Sequence, residues 1–141
     1  MRFNAHPGWP RYQGMKTEPL TLYYDGLCPL CSREIAHYRR HAGAAPVAFV
    51  DIAAPGFDAA AHGLDARRVH RLMHARQGNR LRTGVDAFIA LWETIPAYGW
   101  LARLAKVPAL YELMRAGYHV FAFVRPWLPR RRPCEAGTCE L

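Results

Sequence analysis

Leu20-Thr21-Leu22-Tyr23-Tyr24-Asp25-Gly26-Leu27-Cys28-Pro29-Leu30-Cys31 decides the reading of this chain. Its first five residues form a short apolar and aromatic run, and Asp25-Gly26 ends it, the pattern of a buried strand entering a turn. From Pro29 onward the period changes. Cys31, Ile35, Tyr38 and Ala42 recur at spacings of three and four until Gly43, which predicts an amphipathic helix with a glycine stop. Pro29 suits the first helical turn, where its missing N–H costs nothing.

Working outward, Pro46 to Ile52 holds a second apolar run, Val47-Ala48-Phe49-Val50, closed by Asp51. Strand, helix, strand in that order favours two parallel neighbours joined by a right-handed crossover. Ala53 to Ala66 is alanine-rich with breaks at Pro55 and Gly63; it has room for a short helix but defines no element. Val69 to Ala75 and Asn79 to Thr83 flank the turn-like Gln77-Gly78-Asn79 and read as a hairpin at a sheet edge.

After Gly84, Val85, Phe88, Ile89, Trp92 and Ile95 return to helical spacing, and Leu101, Leu104, Leu110, Leu113, Met114, Gly117, Tyr118 and Phe121 continue it past Pro96 and Pro108. The expected fold is therefore α/β: a thioredoxin-like βαβ unit, a β-hairpin and additional C-terminal helices. The expected layout is a flexible leader over residues 1–17, one domain over 18–128, and a basic, cysteine-containing tail over 129–141. With 141 residues, half of them apolar, one domain can bury a real core without metal or disulfide support.

The net charge of +8 bears on association rather than fold. Most of the arginines are scattered, and the Arg130-Arg131-Arg132 cluster is too small to imply specific nucleic-acid binding. Met1 to Leu20 shows no secretory signal, and Tyr118 to Leu128, interrupted by Arg125 and Pro126, is too short for a transmembrane segment. These features point to the cytoplasm, where four cysteines serve catalysis or metal binding rather than structural cross-linking.

The spacing Cys28-x-x-Cys31 at a strand-to-helix junction selects catalysis. Free N–H groups and the positive dipole end at a helix start stabilise a thiolate, lowering a cysteine pKa to roughly 3.5–7.5. That makes Cys28 the expected nucleophile. Cys31, one turn on and facing inward with Ile35 and Tyr38, is the expected resolving thiol. Asp25 is a candidate to accept or relay the Cys31 proton if buried beside it; otherwise it stabilises its own turn.

Asp25, Gly26, Cys28 and Cys31 resemble the DCC family of predicted thiol-disulfide oxidoreductases, whose pattern is DGxCxxC. The resemblance extends from Leu20 to about Leu128 and includes Asp51 and Gly84-Val85-Asp86-Ala87. It implies a thioredoxin-like fold, disulfide reductase or oxidase chemistry of the protein disulfide reductase type, a protein or small-molecule thiol or disulfide as substrate, and no bound organic cofactor. Thioredoxins also place a cis-proline opposite their CxxC pair, whereas this chain has no proline between Pro55 and Pro96. The substrate-docking surface is therefore expected to differ.

Three alternatives use the same residues. Cys134 and Cys139 can complete a four-cysteine zinc site in a non-catalytic module, serve as a second dithiol that exchanges with Cys28 and Cys31, or lie as free thiols in the tail. A redox-inactive thioredoxin-like scaffold is the remaining option. The histidines form no HExxH-type pattern; His37 and His41, one turn apart beside Arg39 and Arg40, belong to a solvated face. Trp92, Trp100, Tyr111, Tyr118 and Phe121 are expected in the core or at a helix-helix contact.

Overall fold

A computed structural model describes residues 18–128. The leader and the tail, with Cys134 and Cys139, lie outside the described residues. The chain opens with β1 (Leu20–Tyr24), α1 (Pro29–Ala42) and β2 (Val47–Asp51), as the apolar runs predict. Pro29 sits in the first turn of α1, and Gly43 ends the helix at φ 56°, a conformation that disfavours a side chain.

Residues 66–71 overturn the expected start of the hairpin. Val69 lies not on a strand but in α2 (Ala66–Arg71), and β3 covers only His74–Gln77 before β4 (Arg80–Thr83). Asp65 explains the difference: its carboxylate accepts the Arg68 N–H at 2.9 Å and caps a helix that buries Val69. Gly78 and Asn79 form the two-residue turn, with Gln77 opposite Arg80. The earlier segment, Ala53 to Ala66, contributes a single 3-10 turn at Ala60–His62.

The four strands are ordered β2-β1-β3-β4, with β1 and β2 parallel and β3 antiparallel to both β1 and β4. This is a thioredoxin-like α/β arrangement. Alternation along β1 distributes side chains to two layers. Leu20 and Leu22, fully buried, join Ile35 and Tyr38 of α1 and the helix α3 (Val85–Thr94) in the main core. Tyr23 faces the other way and packs with Ile52, Leu64 and Val69. With both faces covered, the end of β1 is held from two sides, and the loop that leaves it inherits that rigidity.

Two further helices, α4 (Gly99–Ala105) and α5 (Pro108–Val124), complete the chain, followed by a 3-10 turn at Arg125–Trp127. Trp92 is buried, as its spacing predicts, but Trp100 is 59% exposed, contrary to the expected core position. Leu113, Val120, Phe123 and Trp127, on α5 and the turn after it, are exposed as well. The opposite side of α5 packs inward through Tyr111, Met114 and Tyr118. Tyr118 accepts the Met73 N–H at 2.8 Å, fastening α5 across the start of β3.

Candidate functional site

The loop from β1 to α1 is fixed by two carboxylates. Asp51, at the end of β2, accepts the N–H groups of Gly26 and Ala53, both at 2.8 Å. A Cβ at residue 26 would stand 2.5 Å from the Asp51 carboxyl carbon, so glycine is the residue this close approach admits. Asp25, 3% exposed, accepts the Leu27 N–H on Oδ1 at 3.0 Å. Ser32 then donates its hydroxyl to the Gly26 carbonyl at 2.8 Å, tying the loop to the first turn of α1.

These contacts place Cys28 as the residue that caps α1. Its backbone is extended, at φ −81° and ψ 113°, and its Sγ accepts the Cys31 N–H at 3.3 Å. Cys31 carries a thiol that donates to Cys28 Sγ at 2.7 Å. The two are free thiols, each at most 5% exposed, and Cys31 shares its inward face with Ile35 and Tyr38 as expected. Burial, reinforced by the hydrogen bond to Cys28, pushes the Cys31 thiol up to about 12; the nearby Arg125 guanidinium opposes that rise. Cys31 is thus held protonated at neutral pH.

Arg125 is the residue that sequence reasoning missed. Its Nη2 meets Asp25 Oδ2 at 2.9 Å in an ion pair whose side chains are 11% and 2% exposed, and its Nη1 donates to the Arg71 carbonyl at 3.3 Å. The available signal was a single arginine interrupting an apolar helical run, which reads equally well as a break in that run. The helix α5 thereby delivers a charge to a loop 100 residues earlier. Asp25 thus accepts a bond within its own turn and borders the same pocket as Cys31.

Glu34, one turn past Cys31, is a second carboxylate that the sequence reading did not single out. It accepts the Tyr38 hydroxyl at 3.1 Å, and Tyr38 accepts the Trp92 indole N–H at 3.0 Å. Burial raises the Glu34 carboxyl above the ordinary range, with the Tyr38 bond opposing. Asp25, Cys31, Glu34, Tyr118 and Arg125 border a small pocket of about 20 Å³, room for about one water molecule. Cys28 opens onto a larger cleft of about 180 Å³ bordered by Asp25, Pro29, Arg71, Arg125 and Pro126.

Other expected sites stay apart from this one. His37 and His41 are exposed, with His37 bonded to the Tyr98 hydroxyl at 2.6 Å. Among the described residues, no three His, Cys, Asp or Glu side chains cluster as a metal site, and the zinc alternative through Cys134 and Cys139 lies outside them. No described helix is long and apolar enough to cross a membrane. Among the described residues every peptide bond is trans, so the segment entering β3 lacks the cis-proline that thioredoxins place there.

An uncharacterized chloroplastic protein of Arabidopsis thaliana is 34% identical over 131 residues, a match covering 90% of this chain and 59% of the relative. The chain thus spans less than two thirds of that protein's length. No solved structure matches it. The model of the DCC1-like thiol-disulfide oxidoreductase family matches residues 22–131, which contain the whole site just described, and the chain belongs to that family.

Proposed function

We propose that this protein exchanges thiols and disulfides with Cys28 as nucleophile and Cys31 as resolving thiol. The observation that carries the reading is the pair of free thiols 2.7 Å apart at the first turn of a helix. The Cys28 thiolate attacks a substrate disulfide R–S–S–R′, forming Cys28–S–S–R and releasing R′–S⁻. Cys31 gives up its proton and attacks Cys28 Sγ, which expels R–S⁻ and leaves a Cys28–Cys31 disulfide. Two electrons pass to the substrate, and an external thiol reductant restores the dithiol.

Because Cys31 holds its proton tightly, the second step needs an acceptor. Asp25 takes that role, the Arg125 guanidinium favours the thiolate that the proton leaves on Cys31, and Glu34 borders the same pocket. The substrate class is a thiol or disulfide, of protein or small-molecule origin. A CxxC dithiol proposed to cycle through its thiol form suits a reducing compartment; the cytoplasm is our reading, although the A. thaliana relative is named as chloroplastic.

The test uses Cys31→Ser protein and the uncharged hydroxyethyl disulfide. Mass spectrometry should find a mixed disulfide on the Cys28 peptide, and Cys28→Ser should abolish turnover by the otherwise wild-type protein. Equal turnover by wild type and Cys28→Ser defeats the assignment. Stoichiometric zinc that disappears with Cys134→Ser would instead identify a metal-stabilised module.

A further inference from the structure

The cleft beside Cys28 differs in charge from the smaller pocket that Glu34 borders. Arg71 and Arg125 border it, and Asp25, the one carboxylate on its wall, is already paired with Arg125. Arg71 is exposed, and among the described residues none of the four ion pairs uses it or Arg68. Arg68 borders the adjoining groove, which shares Arg71 with the cleft and continues to His119 and Trp127. The approach to the nucleophilic sulfur therefore carries uncompensated positive charge, which favours anionic molecules at the point of attack.

Residues 71–73, which lead into β3, limit what kind of anion can use that approach. A polypeptide docking as an added strand needs free main-chain donors and acceptors. Here the N–H groups of residues 72 and 73 are taken, and each of the three carbonyls already accepts one bond. The Arg71 carbonyl accepts from Arg125, the Leu72 N–H bonds to Arg68 O at 2.9 Å, and the Leu72 carbonyl lies 2.8 Å from His74 Nδ1. Met73 gives its N–H to Tyr118, and its carbonyl receives the Gly84 N–H at 2.9 Å. The N–H groups of residues 72 and 73 are thus already engaged, so an added strand finds no free donor there, beside a cleft of about 180 Å³.

We infer that the substrate of the Cys28 sulfur is a low-molecular-weight disulfide bearing carboxylates, drawn in by Arg71 and Arg68 and too small to need main-chain pairing. This rests on the exchange chemistry proposed above and adds the substrate class to it. The electron balance is unchanged: the small disulfide is reduced to two thiols while Cys28 and Cys31 are oxidised to one disulfide.

The experiment compares three small disulfides as substrates of the intact protein: oxidised glutathione (anionic), hydroxyethyl disulfide (neutral) and cystamine (cationic). Each is assayed at about 20 mM and about 300 mM salt, spanning Debye lengths on either side of 10 Å. Insulin supplies a protein disulfide. The expected order of second-order rates is anionic above neutral above cationic, with roughly tenfold between the extremes at low salt, a gap of the size electrostatic steering produces. Salt should compress it, and Arg71→Glu should remove or invert it. Equal rates for the three, or a charge preference unmoved by Arg71→Glu, overturns the assignment of charge. Insulin reduced faster than oxidised glutathione transfers the site to polypeptides and overturns the size argument. If no disulfide reacts and Cys28 forms no mixed disulfide in the Cys31→Ser protein, the exchange chemistry itself fails, and the substrate assignment with it.

Discussion

Replacing Arg125 with methionine removes a charge from the best-buried ion pair among the described residues. Its two side chains are 11% and 2% exposed, and the distance is 2.9 Å. Breaking a buried pair by deleting one partner leaves the other charge desolvated, which costs about 3–5 kcal/mol. The substitution also removes the donor to the Arg71 carbonyl, worth about 0.5–1.5 kcal/mol. Asp25→Asn in the same chain removes the carboxylate's charge and keeps an oxygen for the Leu27 N–H. The double variant should recover on the order of 1–3 kcal/mol of that loss. Urea unfolding followed by circular dichroism, with the slope checked to be unchanged, measures each corner of the cycle. A single variant within about 1 kcal/mol of wild type, or a double variant no more stable than the single, refutes the view that Arg125 neutralises Asp25.

Three further outcomes follow from the same geometry. Gly26→Ala should lower stability by roughly 1–3 kcal/mol and slow thiol exchange, because the new methyl group pushes Asp51 off the loop that places Cys28; thermal melting and mixed-disulfide kinetics on one preparation read both effects. Since the folded Cys31 thiol is raised to about 12 from an ordinary value of 9.0, the unfolded chain ionises first as pH climbs. Stability associated with Cys31 is therefore fully present below pH 9.0 and falls as pH rises through the folded value, by up to about 4 kcal/mol, and Cys31→Ser should flatten that part of the alkaline unfolding curve. Burial lowers the His74 pKa below 6.5, so the folded state resists protonation and stability should drop as pH falls below 6.5. His74→Gln should show a shallower loss between pH 6.5 and 5 in denaturant titrations, and an unchanged slope would discount His74 as its source.

How much of this was legible in the sequence depends on how far apart the interacting residues lie. β1, α1 and β2 were readable because each carries its own local period and its own stop: Asp25-Gly26, Gly43 and Asp51. The Gly78-Asn79 turn was equally local. The first hairpin strand was misplaced because Val69 and Met73 suit an apolar strand as well as a helix period, and the deciding feature, the Asp65 cap, is one side-chain bond. Trp100 follows the helical stripe yet is exposed, since periodicity identifies a common face without saying what covers it. In the site, Cys28, Cys31 and Asp25 share one octapeptide and could be grouped from spacing alone. Arg125 could not: a pairing between residues 100 apart leaves no local pattern.

The Asp25–Arg125 link also bears on how the chain is made. Synthesis proceeds from the N-terminus at about 5–20 residues per second, so roughly 5–20 s separate the emergence of Asp25 from that of Arg125. During that interval the dithiol is out of the ribosome while the helix that closes over it has yet to be translated. The nascent polypeptide, rather than the finished protein, is therefore the form most open to oxidants and to mispairing, and helpers that shield its sulfurs have their window then.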